Sequence, residues 1–186
     1  MPSFIKSETI DIPKNVTVEH GKRKISVTGP RGTLSEDFTH SRVGSEKKGS
    51  KIVVSKWFGR SIENSIIRTI CKHINNMING VPKGFRNEMR LVYNLFPIIF
   101  AIKQEGRMIE IRNFIGGKEG YPIKMIPGVM VSEGNEVKYQ VILEVNDVKD
   151  VSLCASRITQ IIRVKGKDKS MFLEGIYTSN KTNSEE

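Results

Sequence analysis

The feature that most constrains this chain is a repeat at a fixed offset of 84 residues. Pro13 aligns with Pro97, Val16 with Phe100 and Val18 with Ile102. Ile25 aligns with Ile109, Val27 with Ile111 and Gly32 with Gly116. One offset therefore maps a proline, two pairs of alternating apolar positions and a turn glycine. A helical segment follows each copy at nearly the same offset, with Gly80 86 residues before Gly166. Repetition decides architecture before any local reading does. The expected fold is α+β: two duplicated small domains, each an antiparallel sheet covered on one face by a helix. The expected boundaries are 1–82 and 83–178, followed by a frayed polar tail at 179–186.

Local patterns fill in this plan. Thr9 to Ile12 alternates and stops at Pro13; Val16 and Val18 alternate with Thr17 and Glu19. Ile25 and Val27 alternate with Ser26 and Thr28. Such alternation predicts half-buried strands. Thr33 to Phe38 and Lys51 to Phe58 read as further strands, and residues 39–50, rich in Ser, Gly and Lys, as a loop. The second half reads as strands at Glu88–Leu95, Ile98–Ile102, Met108–Arg112, Tyr121–Ile126 and Val137–Val145. Phe114 to Gly120 reads as a glycine-rich turn. Asp168 to Leu173 adds a short helical turn, and Gly175-Ile176-Tyr177 a last extended piece. Phe96, Phe100 and Phe114 are expected to be buried, which disfavours base stacking on them.

Between Ser61 and Asn79, isoleucines recur every four residues at 62, 66, 70, 74 and 78, with Ile67, Cys71 and Met77 beside them. This predicts a helix with one apolar stripe. Gly80 suits its end and Pro82 argues against continuation. A second helix is predicted from Val148 to Arg163. Cys71 and Cys154 each fall on an apolar stripe, as small core residues. Two cysteines frame no disulfide scaffold and suit a reducing compartment.

Charge enters next. The chain carries 30 Lys+Arg against 20 Asp+Glu, a net charge of +10. Such an excess suits a polyanionic partner. The densest cluster is Arg163, Lys165, Lys167 and Lys169, at the end of the second helix. Part of it complements the helix dipole; four cations in seven residues exceed that need and suit phosphate contact. Gly29-Pro30-Arg31-Gly32 is a turn, or a place where backbone and guanidinium meet a phosphate. No apolar run reaches the roughly 18 residues of a membrane span, and the amino terminus carries no signal-like apolar stretch. No nucleophile elbow, phosphate-binding loop or H-E-x-x-H occurs, so no enzyme activity, cofactor or metal is expected. Glu144, Asp147 and Asp150 form the clearest acidic group. They suit a metal-dependent nuclease or, more economically, a solvated helix start.

Longer strings carry a resemblance. Thr9-Ile10-Asp11-Ile12-Pro13, Val27-Thr28-Gly29-Pro30-Arg31-Gly32-Thr33-Leu34, Arg68-Thr69-Ile70-Cys71, Asn76-Met77-Ile78 and Gly80-Val81 occur in order. So do Gly84-Phe85-Arg86, Met89-Arg90, Val92-Tyr93 and Phe96-Pro97-Ile98. Glu110-Ile111-Arg112-Asn113-Phe114, Pro127-Gly128-Val129 and Phe172-Leu173-x-Gly175-Ile176-Tyr177 complete the set. Together these resemble the universal large-subunit ribosomal protein of family six, numbered nine in the eukaryotic cytoplasmic ribosome. The likeness spans residues 8–178 and favours the eukaryotic form. It implies a structural constituent that binds large-subunit rRNA near the stalk base, the sarcin–ricin loop and the translational GTPase site, beside neighbouring ribosomal proteins. It implies a cytosolic ribosome, with a nucleolar stage during assembly. It also implies rRNA contact at Lys118, Lys124, Arg163, Lys165, Lys167 and Lys169, and less directly at Gly29, Arg31 and Gly32. An extra-ribosomal regulatory RNA-binding protein is the alternative reading.

Overall fold

Alternating apolar positions at 10, 52 and 54, with 18, 25 and 27, give the first half two sheets that each bury one face. The computed structural model describes residues 4–21, 23–134, 139–168 and 170–184. The chain divides into two compact units, Met1–Lys83 and Gly84–Glu186. Unit 1 holds β1 (Ile5–Asp11), β2 (Thr17–His20), β3 (Lys24–Gly29), β4 (Gly32–Asp37), β5 (Gly44–Lys48), β6 (Lys51–Trp57) and α1 (Ser61–Lys83). Its sheets run β1-β6-β5 and β2-β3-β4, with every pairing antiparallel. Ile25, Val27, Ile52, Val54 and Ile74 are essentially inaccessible in one core beneath α1. Truncating a side chain such as Ile74 to alanine costs about 2–5 kcal/mol, since both transfer energy and packing are lost.

Unit 2 holds β7 (Phe85–Val92), β8 (Ile99–Lys103), β9 (Met108–Arg112), a single 3-10 turn (Phe114–Gly116), β10 (Tyr121–Lys124), β11 (Met130–Glu133), β12 (Gln140–Val145), α2 (Val148–Ile161) and β13 (Gly175–Asn183). Its sheets run β11-β12-β7-β13 and β10-β9-β8, again antiparallel throughout. The order β5-β6-β1 in unit 1 is therefore the order β11-β12-β7 in unit 2, with β13 added beyond β7. Ile109 and Ile111 occupy the central strand β9 as Ile25 and Val27 occupy β3, all fully buried. The duplication is one of topology as well as sequence, and the fold is α+β. Each unit has two sheets where the repeat alone suggested one.

Several local expectations are corrected. The helix α1 does not stop at Asn79; it runs through Pro82 to Lys83. The residue that ends it in the left-handed region is Gly84, at φ +72°. Pro82 sits in the last turn, where the missing N–H costs one bond only, and a turn from elsewhere in unit 1 supplies donors to the final carbonyls. The four-residue isoleucine spacing also drifts. Each step of four advances about 40° past a full turn, so Ile62 ends up 85% exposed while Ile74 and Ile78 are buried. The 39–50 segment contains the strand β5 and is held by the ladder to β6. Of the tail expected to fray, residues 179–183 instead form the outer half of β13, paired to β7 through Asn183↔Phe85, and Glu185 and Glu186 lie outside the described residues. Phe96 is exposed at 42%, against the expectation of burial. The expected strand start at Val137 lies outside the described residues.

Candidate RNA interface

The segment after α2 is built by alternation. Ile162 and Val164 are buried, at 2% and 8% exposure, and Ile162 pins an otherwise irregular stretch to the unit 2 core. With those side chains turned inward, Arg163 and Lys165 stand in solvent. Gly166 then takes φ +70° in open space, a reversal that favours glycine. Lys167 folds back so that its Nζ lies 4.6 Å from the centre of the Phe172 ring, a cation–π contact. Asp168 closes the turn by accepting from the Ser170 N–H at 2.9 Å. The result is a short ledge presenting three cations at the C-terminal end of α2. Lys169 lies outside the described residues.

Lys118 and Lys124 are both exposed but stand at opposite ends of β10. Lys124 is opposite Met108 in the ladder; Lys118 precedes the strand. The loop holding Lys118 follows three left-handed residues, Asn113 (φ +60°), Ile115 (φ +51°) and Gly116 (φ +71°). A β-branched residue rarely adopts that region. The Asn113 side chain fixes the turn by donating to the Pro97 carbonyl at 2.9 Å. On the same sheet Glu110 is clamped by Lys103 and by Arg112, the latter at 2.8 Å. Donation from these two cations, Lys103 first, holds the Glu110 carboxyl below the usual carboxylate range. Their charge is thus partly spent inside the protein.

Gly29, Arg31 and Gly32 have a definite internal role. A Cβ on Gly29 would lie 2.4 Å from Val81 Cγ1, so the turn is pressed against the last turn of α1. The Arg31 backbone N–H donates to the Val81 carbonyl at 3.3 Å, and its guanidinium donates to the Lys83 carbonyl at 3.0 Å. These donors satisfy helix-end carbonyls that otherwise lack intrahelical partners. Gly32 takes φ +138° across the hairpin from Gly29. Beside the two roles its sequence suggests, a phosphate contact or a plain turn, this turn has a third use as a helix cap. The pairing bridges about fifty residues, so no local signal could have found it.

Lysines at 24, 47 and 51 in unit 1 are engaged within the protein. Lys24 meets Asp37 at 3.7 Å, Lys51 meets Asp11 at 3.2 Å, and Lys47 donates to the Val18 carbonyl at 2.8 Å. Asp147, one of the three acidic residues considered for catalysis, caps α2 by accepting from the Lys149 N–H at 2.9 Å. Asp150 lies in the first turn, its pKa raised by burial and then by Asp147. Both cysteines are buried and free. Burial, followed by the neighbouring Glu8 carboxylate, pushes the Cys71 thiol up to about 11.

Comparison with known proteins bears on this arrangement. The family model described as ribosomal protein L6 matches residues 12–84. The large ribosomal subunit protein uL6A of Schizosaccharomyces pombe is 46% identical over 181 residues, covering 97% of this chain and 95% of that protein. Protein uL6 of Staphylothermus marinus is 38% identical over 176 residues, covering 91% of each. Protein uL6B of Saccharomyces cerevisiae is 38% identical over 182 residues, covering 96% and 95%.

Proposed function

Because the chain belongs to the ribosomal protein L6 family, at 46% identity over nearly its whole length, we propose that it is a structural constituent of the large ribosomal subunit. It acts by binding large-subunit rRNA and adjoining ribosomal proteins, and performs no catalysis. Its place is the base of the stalk, near the sarcin–ricin loop and the translational GTPase site, in cytosolic ribosomes assembled through a nucleolar stage. The two units serve as its two domains.

The observation that carries the RNA reading is the ledge after α2. Two inward apolar anchors, Ile162 and Val164, hold Arg163 and Lys165 outward, with Lys167 braced on Phe172. Bracing reduces the side-chain freedom lost on binding. Such a ledge reads phosphate geometry and not base identity. Lys169 extends the run in sequence, and Lys118 and Lys124 supply further contacts. Gly29, Arg31 and Gly32 contribute chiefly by holding the end of α1, and their contact with RNA is secondary.

The test is binding to large-subunit rRNA fragments as salt is raised. Each phosphate neutralised adds about 0.7–0.9 to the slope of log affinity against log salt. Replacing Arg163, Lys165, Lys167 and Lys169 by glutamine lowers that slope by up to about 3.6. An unchanged slope in the fourfold variant overturns the assignment of the ledge.

A further inference from the structure

Among the described residues of each unit, the duplication leaves one position filled in unit 2 and unfilled in unit 1. In unit 2 the outer edge of β7 is covered by β13, which also touches the helix: Thr159 Oγ1 donates to the Ile176 carbonyl at 3.0 Å. In unit 1 the equivalent strand β1 is, among the described residues, the last in its sheet. Its backbone direction can be read from the two ends. The Phe4 carbonyl accepts from the Phe58 N–H, and the Ile12 N–H donates to the Ser50 carbonyl, both at 2.8 Å. The register between them is unbroken. Even-numbered residues therefore turn their backbone groups toward β6, and Ile5, Ser7, Thr9 and Asp11 turn theirs outward. This is a row of N–H and C=O groups of the kind that templates another strand.

Beside that edge lies a slot of about 510 Å³ between β1 and α1, lined among others by Lys6, Ser7, Glu8, Asn64, Ile67 and Arg68. Buried Ile67 forms an apolar floor, as suits one inward side chain of an added strand. Lys6 and Arg68 are exposed at the slot, and Lys72 continues the positive line along α1. Exposed Phe4, Trp57 and Phe58 stand at one end of the same sheet, with Phe4 and Phe58 in edge-to-face contact at 5.8 Å.

We propose that this slot docks an extended, acidic peptide segment of a partner protein, which adds to β1 as an antiparallel strand in the place that β13 takes in unit 2. Strand addition draws affinity from main-chain bonds and specificity from alternate side chains. Lys6, Arg68 and Lys72 select carboxylates on those side chains. A nucleic-acid strand fits the slot less well, because Glu8 lines it and the outward carbonyls of β1 repel phosphate.

The test places a photoreactive benzophenone amino acid at Ser7 in the full chain, with irradiation in intact cells before fractionation. The readout thus does not depend on which particle the chain travels with. The expected product is a crosslink to a partner protein, mapped by mass spectrometry to an acidic segment of extended pattern. Adding Thr9→Pro removes an outward N–H that β6 does not use, which an edge strand tolerates, and is expected to lower the yield at least tenfold. Arg68→Glu, on the exposed face of α1, is expected to lower it severalfold and does not depend on the strand tolerating proline. A crosslink to RNA, a yield no higher than that of the same probe at exposed Ser35, or a yield indifferent to both substitutions overturns the proposal.

Discussion

Replacing Gly29 by alanine tests whether the turn at residues 29–32 is docked on α1. The new Cβ would stand 2.4 Å from Val81 Cγ1. Unstrained carbon pairs separate at about 3.5–4.0 Å, so the turn or the helix end must retreat by roughly 1 Å. Val81 is 1% exposed and belongs to the unit 1 core, so its displacement disturbs packed neighbours. Overpacking of this kind costs about 1–3 kcal/mol. For a unit of this size each kcal/mol shifts Tm by about 4–8 °C, so a fall of about 5–20 °C is expected. Trp57 is the single tryptophan and lies in unit 1, so its fluorescence follows that unit alone during urea or thermal unfolding of the full chain. Arg31→Ala removes an exposed charged donor to the Lys83 carbonyl and is expected to cost less, about 0.5–1.5 kcal/mol. At temperatures where both variants are folded, the salt slope of RNA binding should stay close to that of the unsubstituted chain. Alanine at 29 without loss of stability, or with lost RNA affinity at full stability, would refute the helix-cap reading.

Three further outcomes follow from particular contacts. Donation from Lys56, followed by the Arg60 backbone N–H, holds the Glu63 carboxyl below its ordinary value of 4.5. A depressed value means that the contribution is complete above that pH and is lost as pH falls through the lower folded value. Unit 1 should therefore weaken on acidification below about pH 4.5, and Glu63→Gln, less stable at pH 7, should weaken less over the same window; parallel curves would count against the pair. Removing Ser179–Glu186 strips the Asn180–Asn183 pairs from β7 and should cost unit 2 about 1–3 kcal/mol in chemical denaturation, whereas a truly frayed tail would cost nothing. Both thiols should resist an aromatic disulfide reagent at pH 8 in the native chain and react only on unfolding, since both are buried and Cys71 titrates near 11; prompt native reaction would contradict the core assignment.

What was legible in the sequence was whatever depends on neighbours along the chain. Alternation at Ile25/Val27 and Ile109/Ile111 revealed the buried central strands, and the offset of 84 revealed the duplication. What was illegible depends on partners across space. β5 (Gly-Ser-Glu-Lys-Lys) and the outer half of β13 are polar, and only their ladders make them strands. Alternation tells which side chains face inward but not which strand lies beside which, so two sheets per unit could not be told from one. The end of α1 was misjudged because Pro82 breaks helices in isolation, while here the Arg31 turn completes the last turn. At the site, the positions of the cations could be read directly. The bracing of Lys167 by Phe172 and the internal duty of Arg31 could not, because each is a contact between separate segments.

Sucrose-gradient sedimentation of cell extract decides whether this chain is built into the large ribosomal subunit through its basic ledge. The tagged chain is expected to sediment with large subunits and with whole ribosomes. The variant with glutamine at 163, 165, 167 and 169, folded by circular dichroism, is expected to shift toward the top of the gradient. A chain absent from large-subunit fractions would contradict the ribosomal reading. A variant that sediments like the unsubstituted chain would contradict the role given to the ledge.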